Sequence, residues 1–402
     1  MGSVRGHLYT PTPDGERFVP EATLRWGEDG LLGGTDGSAP VELEGEVLLV
    51  PGFVDVHIHL PQLRVRGRFH EALLPWLREH IWPEEARFAE PSYRDSVVAE
   101  FRASLLAAGT TSAVIFGSPH ADSAEALLDG LDPLNAQGGD VLMDRNSPEE
   151  LVGEGRALLA SSAALAERYG HRYWLTPRFV PTCTVALLEG LAAIAAETGA
   201  GIQSHVSENL DEVAWVKELH PEARSYLDVY DRAGLLGSRT ILAHGIHLDD
   251  RDLERLAQSG TWIAHCPTSN EALGSGRMPY ERHREAGVSI ALATDVGAGP
   301  DVSMLDVMAS FLAVQAEVDG VRPALALRLA TLAGARAMGE ARRGALVDGW
   351  HADLVALRIP GGLRRGETGE EALGRILETF AGRWDDAVAG VWAGGERVAP
   401  ST

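Results

Sequence analysis

Eight short apolar runs recur along the chain, each followed by a longer polar or amphipathic stretch, and this alternation restricts the fold more than any single motif does. The runs cover residues 53–59, 111–116, 140–143, 173–178, 201–206, 240–244, 261–265 and 289–295. Between them, 95–108, 123–131, 148–169, 185–198, 211–233, 249–258 and 280–286 read as helices. Several of these stop at a glycine (Gly109, Gly170, Gly199, Gly234 and Gly260), the residue that best adopts the left-handed turn closing a helix. Strand followed by helix, eight times over, predicts an α/β fold, a (β/α)8 TIM-like barrel over 53–351, with a doubly wound sheet as the alternative. Residues 302–340 add further helix. The two ends differ in character. Short strand-like pieces at 4–10, 22–27, 353–358 and 387–398 are separated by Gly, Pro and Asp. Residues 1–52 and 352–402 are therefore expected to meet as one small β-sandwich domain beside the barrel.

Composition removes several classes of function. A net charge of −23 disfavours phosphate backbones and anionic membranes as partners. No apolar run is long enough to span a bilayer. The start, Met1-Gly-Ser-Val-Arg5, lacks the basic and then apolar profile of a signal peptide. Two cysteines, Cys183 and Cys266, make no disulfide framework. The expectation is a cytoplasmic protein acting on a small molecule, with neither nucleic acid nor membrane as a partner.

The chemically active side chains cluster where the runs end. His57 and His59 close the first, and because side chains alternate along a strand, the two imidazoles point the same way. Arg178 closes the fourth run, His205 the fifth, His244 the sixth and Asp295 the eighth. In a parallel barrel those ends form one rim, where active sites lie. Three imidazoles and one carboxylate from this group suit a divalent ion such as Zn2+, with one position left for water. The use of such an ion is to lower the pKa of water from about 15.7 to about 7. Glu208, three residues past His205, is placed to carry a proton at the same mouth. A carboxylate favouring the dipole of the following helix is the bland reading of the same residue.

The motifs around these positions resemble those of the amidohydrolase superfamily, and more narrowly of guanine deaminases. They include Pro51-Gly-Phe-Val-Asp-Val-His-Ile-His-Leu-Pro-Gln62, Met143-Asp-Arg-Asn-Ser-Pro148, Pro177-Arg-Phe-Val-Pro-Thr182 and Ser204-His-Val-Ser-Glu-Asn209. Cys266-Pro-Thr-Ser-Asn270, Leu273-Gly-Ser-Gly276, Thr294-Asp-Val-Gly-Ala-Gly299 and Ser303-Met-Leu305 complete the set. The resemblance implies a barrel of the amidohydrolase type holding one zinc on His57, His59, His205 and Asp295. It implies Glu208 as proton shuttle, His244 beside the reacting water with Asp295, and Gln62 with Arg178-Phe179 around the base. Their chemistry agrees: Gln offers a donor and an acceptor, Arg a donor fork, and Phe a wall for a planar ring. The implied reaction is hydrolysis of guanine to xanthine and ammonia, in purine catabolism or salvage, by a homodimer. A related deaminase or chlorohydrolase acting on another purine, a pterin or a triazine is the alternative. A barrel that binds zinc without catalysis is the more distant one.

Several features narrow this further. Two-metal relatives bridge their ions through a modified lysine at the fourth strand; here that run ends in Arg178, and the single lysine, Lys217, falls in a helix. No Cys-x-x-Cys is present, which excludes the other zinc deaminase design. Leu60 stands where such deaminases often carry an aromatic, and Arg64, Arg66 and Arg68 make the following loop basic, so this stretch is expected to shape one pocket wall. Cys266 and His265 are expected to be packing residues. His70, His80, His220 and His247 are expected in loops or on the surface, and the role of His120 is open.

Overall fold

Strands buried on both faces read as unbroken apolar runs rather than alternating ones, and Phe53–His59 is buried at every position. The computed structural model describes residues 1–34, 39–69, 73–120 and 122–398. His70 lies outside them. Phe53–His59, Thr110–Phe116 and Asn135–Gly139 form a three-stranded parallel sheet. Val141–Leu142, Trp174–Pro177, Gly201–Val206, Thr240–His244, Trp262–His265 and Ser289–Leu292 form a six-stranded parallel sheet in chain order. A parallel bridge between Gly138 and Tyr173 joins the two sheets on one side. On the other side the Asp295 N–H donates to the His57 carbonyl at 2.9 Å.

All eight expected runs coincide with strands to within a few residues, the third as the two-residue strand Val141–Leu142. One further strand precedes it. Asn135–Gly139 is a strand that apolar patterning does not reveal, because its sequence is Asn-Ala-Gln-Gly-Gly. Glycine is required there: a Cβ on Gly139 would collide with the Trp174 carbonyl oxygen. Val185–Thr198 is a helix as expected. The expected helix over 211–233 is two helices, Leu210–Leu219 and Tyr226–Ala233. Pro221 lacks the N–H needed to continue the first, and Ser225 caps the second by accepting from the Asp228 N–H.

Strands from both chain ends share one six-stranded sheet, in the order Glu396–Val398, Val388–Ala393, Leu354–Arg358, Val47–Pro51, Gly2–Thr12, Gly15–Trp26. Tyr9, Leu48, Val50, Val355 and Leu357 join the main hydrophobic core. Val4, Leu49, Leu354 and Ala356 instead gather around Trp26 and Trp392, whose rings meet edge to face at 6.2 Å. The helix Gly369–Thr379, not expected from sequence, buries Ala372, Leu373, Ile376 and Leu377 against the main core. Val47–Pro51 runs directly into Phe53–His59, so this sheet anchors the strand that carries the first two histidines. No described helix is long and apolar enough to cross a membrane.

Candidate active site

The strand ends bring His57, His59, His205 and Asp295 into one cluster, with one ligand-type atom from each lying within 4.8 Å of the others. His57 Nε2 lies 3.4 Å and His59 Nε2 3.3 Å from Asp295 Oδ1. His59 Nε2 lies 3.2 Å from His205 Nε2. Zn–N bonds of roughly 2.0–2.1 Å imply tetrahedral edges of roughly 3.3–3.4 Å, close to these spacings. His57 is fully buried, and neither ring nitrogen has a hydrogen-bond partner among the described residues, a costly state that a cation on Nε2 would relieve at one of the two. His205 Nδ1–H donates to the Arg178 carbonyl at 2.6 Å, which turns the Nε2 lone pair toward the cluster. Burial holds all three imidazoles below the usual histidine range, His57 at about 4, so they stay neutral as ligands must. Burial opposes ionisation of Asp295, but the adjacent His57 and His59 imidazoles outweigh it and keep the carboxyl well below its ordinary value.

Beside this cluster stand the groups able to move protons. Glu208 is buried, and burial raises its pKa to about 7, with His244 pulling in the opposite direction. Its Oε1 accepts from Ser275 Oγ–H at 3.1 Å, and its Oε2 lies 3.4 Å from His244 Nε2. His244 Nδ1–H donates to Asn270 Oδ1 at 2.9 Å, so its Nε2 faces Glu208 and, at 3.8 Å, Asp295 Oδ2. Burial alone would lower the pKa of His244; the charges of Glu208 and Asp295 and the Asn270 bond raise it. Ser269 Oγ–H donates to Asp295 Oδ2 at 2.6 Å. The capping box of helix Leu210–Leu219 fixes the Glu208 backbone, whose N–H donates to Glu212 at 2.9 Å. Ser207, His244 and Asp295 all have positive φ (49°, 70° and 50°), the left-handed backbone by which these strand ends turn inward.

These groups open onto one pocket. His59, His205, Glu208, His244, Asp295, Gln62 and Arg178 supply its polar lining, and Leu73, Trp76, Leu77, Phe179 and Ala298 its apolar walls. Phe179 is buttressed edge to face by Trp215 at 6.2 Å. The mixture of apolar wall and few polar groups suits a small planar heterocycle.

The amidohydrolase family profile matches residues 48–398. A probable guanine deaminase of Deinococcus radiodurans is 40% identical over 375 residues, 88% of this chain and 84% of that protein. The Escherichia coli guanine deaminase is 37% identical over 390 residues, 89% of this chain and 88% of that protein. The chain belongs to the amidohydrolase family, in its guanine deaminase group. A crystal structure of the C. acetobutylicum guanine deaminase with guanine in its active site superposes with a TM-score of 0.87 at 28% identity, covering 99% of this chain and 100% of that one.

For an amidohydrolase, the sequence-expected residues converge: His57, His59, Gln62, Arg178, Phe179, His205, Glu208, His244 and Asp295 fall in this cluster or on its cavity. Others fall elsewhere. Arg64 pairs with Glu100 at 2.8 Å and lies over the Tyr93 ring, Arg66 bonds the Leu63 carbonyl, and Leu60 packs in the core. Of 60–68, only Gln62 lines the cavity. Cys266 is buried, with burial pushing its thiol well up, so it packs beside the cluster as a neutral group. His265 is buried with no partner for its ring nitrogens among the described residues. His220, expected outside, is buried and 3.0 Å from Arg145 Nη2. His120 Nε2 meets the Glu85 carbonyl at 3.2 Å and does not join the metal-type cluster. Ser269, Asn270 and Ser275 sit inside motifs visible in the sequence, yet their roles as supports for Asp295, His244 and Glu208 need the fold.

Proposed function

We propose that this chain catalyses guanine + H2O → xanthine + NH3 with one zinc ion per chain. The observation that carries the reading is a single cavity lined by Gln62, Arg178 and Glu208 together with His59, His205 and Asp295 of the cluster that His57 completes. Those four residues would hold the ion. When bound, zinc supplies a Lewis acid that polarises the attacking water.

The remaining steps belong to the chain. Gln62 and Arg178 bind the purine edge, and Phe179, Trp76 and Leu77 exclude water from its faces. Glu208, titrating at about 7, accepts a proton from the attacking water near neutral pH and can return it. It delivers that proton to the ring nitrogen next to the carbon bearing the amino group, which makes that carbon electrophilic. His244 Nε2, flanked by Glu208 and Asp295, orients the water and donates to the oxygen as charge builds on it. Asp295 Oδ2, held by Ser269, is a second acceptor on that side. The second proton of that oxygen then passes through Glu208 or Asp295 to the amino group, the C–N bond breaks, and ammonia leaves with both carboxylates ionised for the next cycle.

The reading extends to architecture. The parallel strands are taken as one (β/α)8 barrel over 53–351, and 1–52 with 352–402 as its companion β-sandwich domain. A cytoplasmic homodimer is the state the family resemblance implies, and light scattering tests it. The decisive assay follows guanine loss by ultraviolet absorbance with zinc-loaded protein, alongside ammonia release. Rapid turnover of another amino-heterocycle with none of guanine overturns the substrate assignment.

A further inference from the structure

Glu85 is the buried carboxylate nearest the base-binding residues that the reaction does not use. It lies in the short helix Trp82–Ala86 and is 1% exposed. Arg178 Nη1 donates to both of its oxygens, at 2.9 and 2.8 Å. Gln62 Nε2 donates to its Oε1 at 3.3 Å. His120 ties the Glu85 carbonyl from the far side.

A carboxylate paired with a guanidinium can only accept hydrogen bonds. It therefore decides which way the Gln62 amide lies: the NH2 must face Glu85, and the carbonyl oxygen is left for the cavity. The same carboxylate engages Nη1 of Arg178 and leaves the other guanidinium N–H groups for the cavity that Arg178 lines. The recognition edge is thus fixed as an acceptor from Gln62 beside donors from Arg178. A 6-oxopurine presents acceptors, its carbonyl oxygen and N7, to such donors. A 6-aminopurine presents an N–H donor where the carbonyl would be, and two donors facing each other leave both unsatisfied. Losing a hydrogen bond in a site built to make it is where discrimination becomes large.

We propose that Glu85 is a positioning residue that sets this polarity and thereby the preference for a 6-oxo over a 6-amino ring; the inference rests on the purine reading above. The test compares guanine with 2,6-diaminopurine, which keeps the reacting 2-amino group and replaces only the 6-carbonyl by an amino group. Glu85→Gln is nearly isosteric, but it can donate as well as accept, which frees Gln62 to turn over. The expected result is a guanine to 2,6-diaminopurine ratio of kcat/KM at least tenfold below wild type, carried mainly by KM for guanine, with zinc content retained. Glu85→Asp keeps the charge and is expected to recover part of the ratio. A ratio within twofold of wild type in folded, zinc-loaded Glu85→Gln overturns the inference. Should that variant fail to fold, the ratio in Glu85→Asp decides: lowered supports it, unchanged overturns it. Wild-type protein inert toward guanine would instead overturn the purine reading itself.

Discussion

At the residue scale, two side chains carry separable predictions. Glu208 sits near its pH of half-ionisation and is bonded by Ser275, so it is able to exchange a proton at neutral pH. Glu208→Gln keeps the shape and removes the exchange; kcat is expected to fall by about 10²–10⁴, while zinc measured by atomic absorption stays at the wild-type level. Gly297 constrains the pocket in another way. Its φ is +92°, and a Cβ there would collide with the Gln62 side chain. Gly297→Ala is expected to cost about 1–2 kcal/mol in stability from the left-handed backbone. It should also raise KM for guanine by about tenfold, equivalent to about 1.4 kcal/mol, by displacing Gln62; steady-state kinetics with unchanged KM would refute that placement. His57, His59, His205 and Asp295 were legible in the sequence because each polar residue interrupts or ends an apolar run, and the rim of a parallel sheet collects such residues. Glu85 was not, since it comes from a connection with no periodic pattern and its partners are 23 and 93 residues away.

At the element scale, patterning located strands whose two faces are both covered and missed the one built from polar and glycine residues, Asn135–Gly139. There the requirement is close backbone approach rather than apolar burial, and hydropathy does not report it. The next residue, Asp140, gives this element a pH signature. Its carboxyl accepts from the Ala124 N–H at 2.6 Å, and burial, with Asp122 adding to it, pushes its pKa up to about 7. The sign follows from proton uptake. Between the unfolded value, about 3.9, and about 7, the folded chain binds more protons than the unfolded one, so this group lowers stability as pH rises through that window. Asp140→Asn keeps an acceptor for Ala124 and abolishes the titration. The variant is therefore expected to gain stability relative to wild type between pH 5 and pH 8, read as the difference in urea midpoints. A difference that is flat, or that favours wild type more at pH 8, would refute the assignment.

At the scale of the whole molecule, the four ligand-type residues come from different sheets. His57 and His59 belong to the three-stranded sheet, His205 to the six-stranded one, and Asp295 follows the last strand of the latter. Direct bonds between the two sheets near the cluster include Asp295 N–H to the His57 carbonyl, Thr294 to the buried Asp55 carboxyl, and the Gln203 amide to the Val56 carbonyl. A cation held by all four residues would tie the two sheets together where backbone pairing is thin. It would also give the buried His57 Nε2 the partner it otherwise lacks. Binding only to the folded chain stabilises it by about 4.1 kcal/mol when the ion is at 1,000 times its Kd. Removing the ion with a chelator is thus expected to lower Tm by several degrees and to abolish activity, with both recovered on adding zinc. Hydrogen exchange should rise first along 53–59 and 289–299, and much less in the end-built sheet that includes Leu354–Arg358. Chelated, metal-free protein with unchanged Tm and unchanged exchange at 53–59 would mean that the cluster is a catalytic ornament on sheets already joined without it.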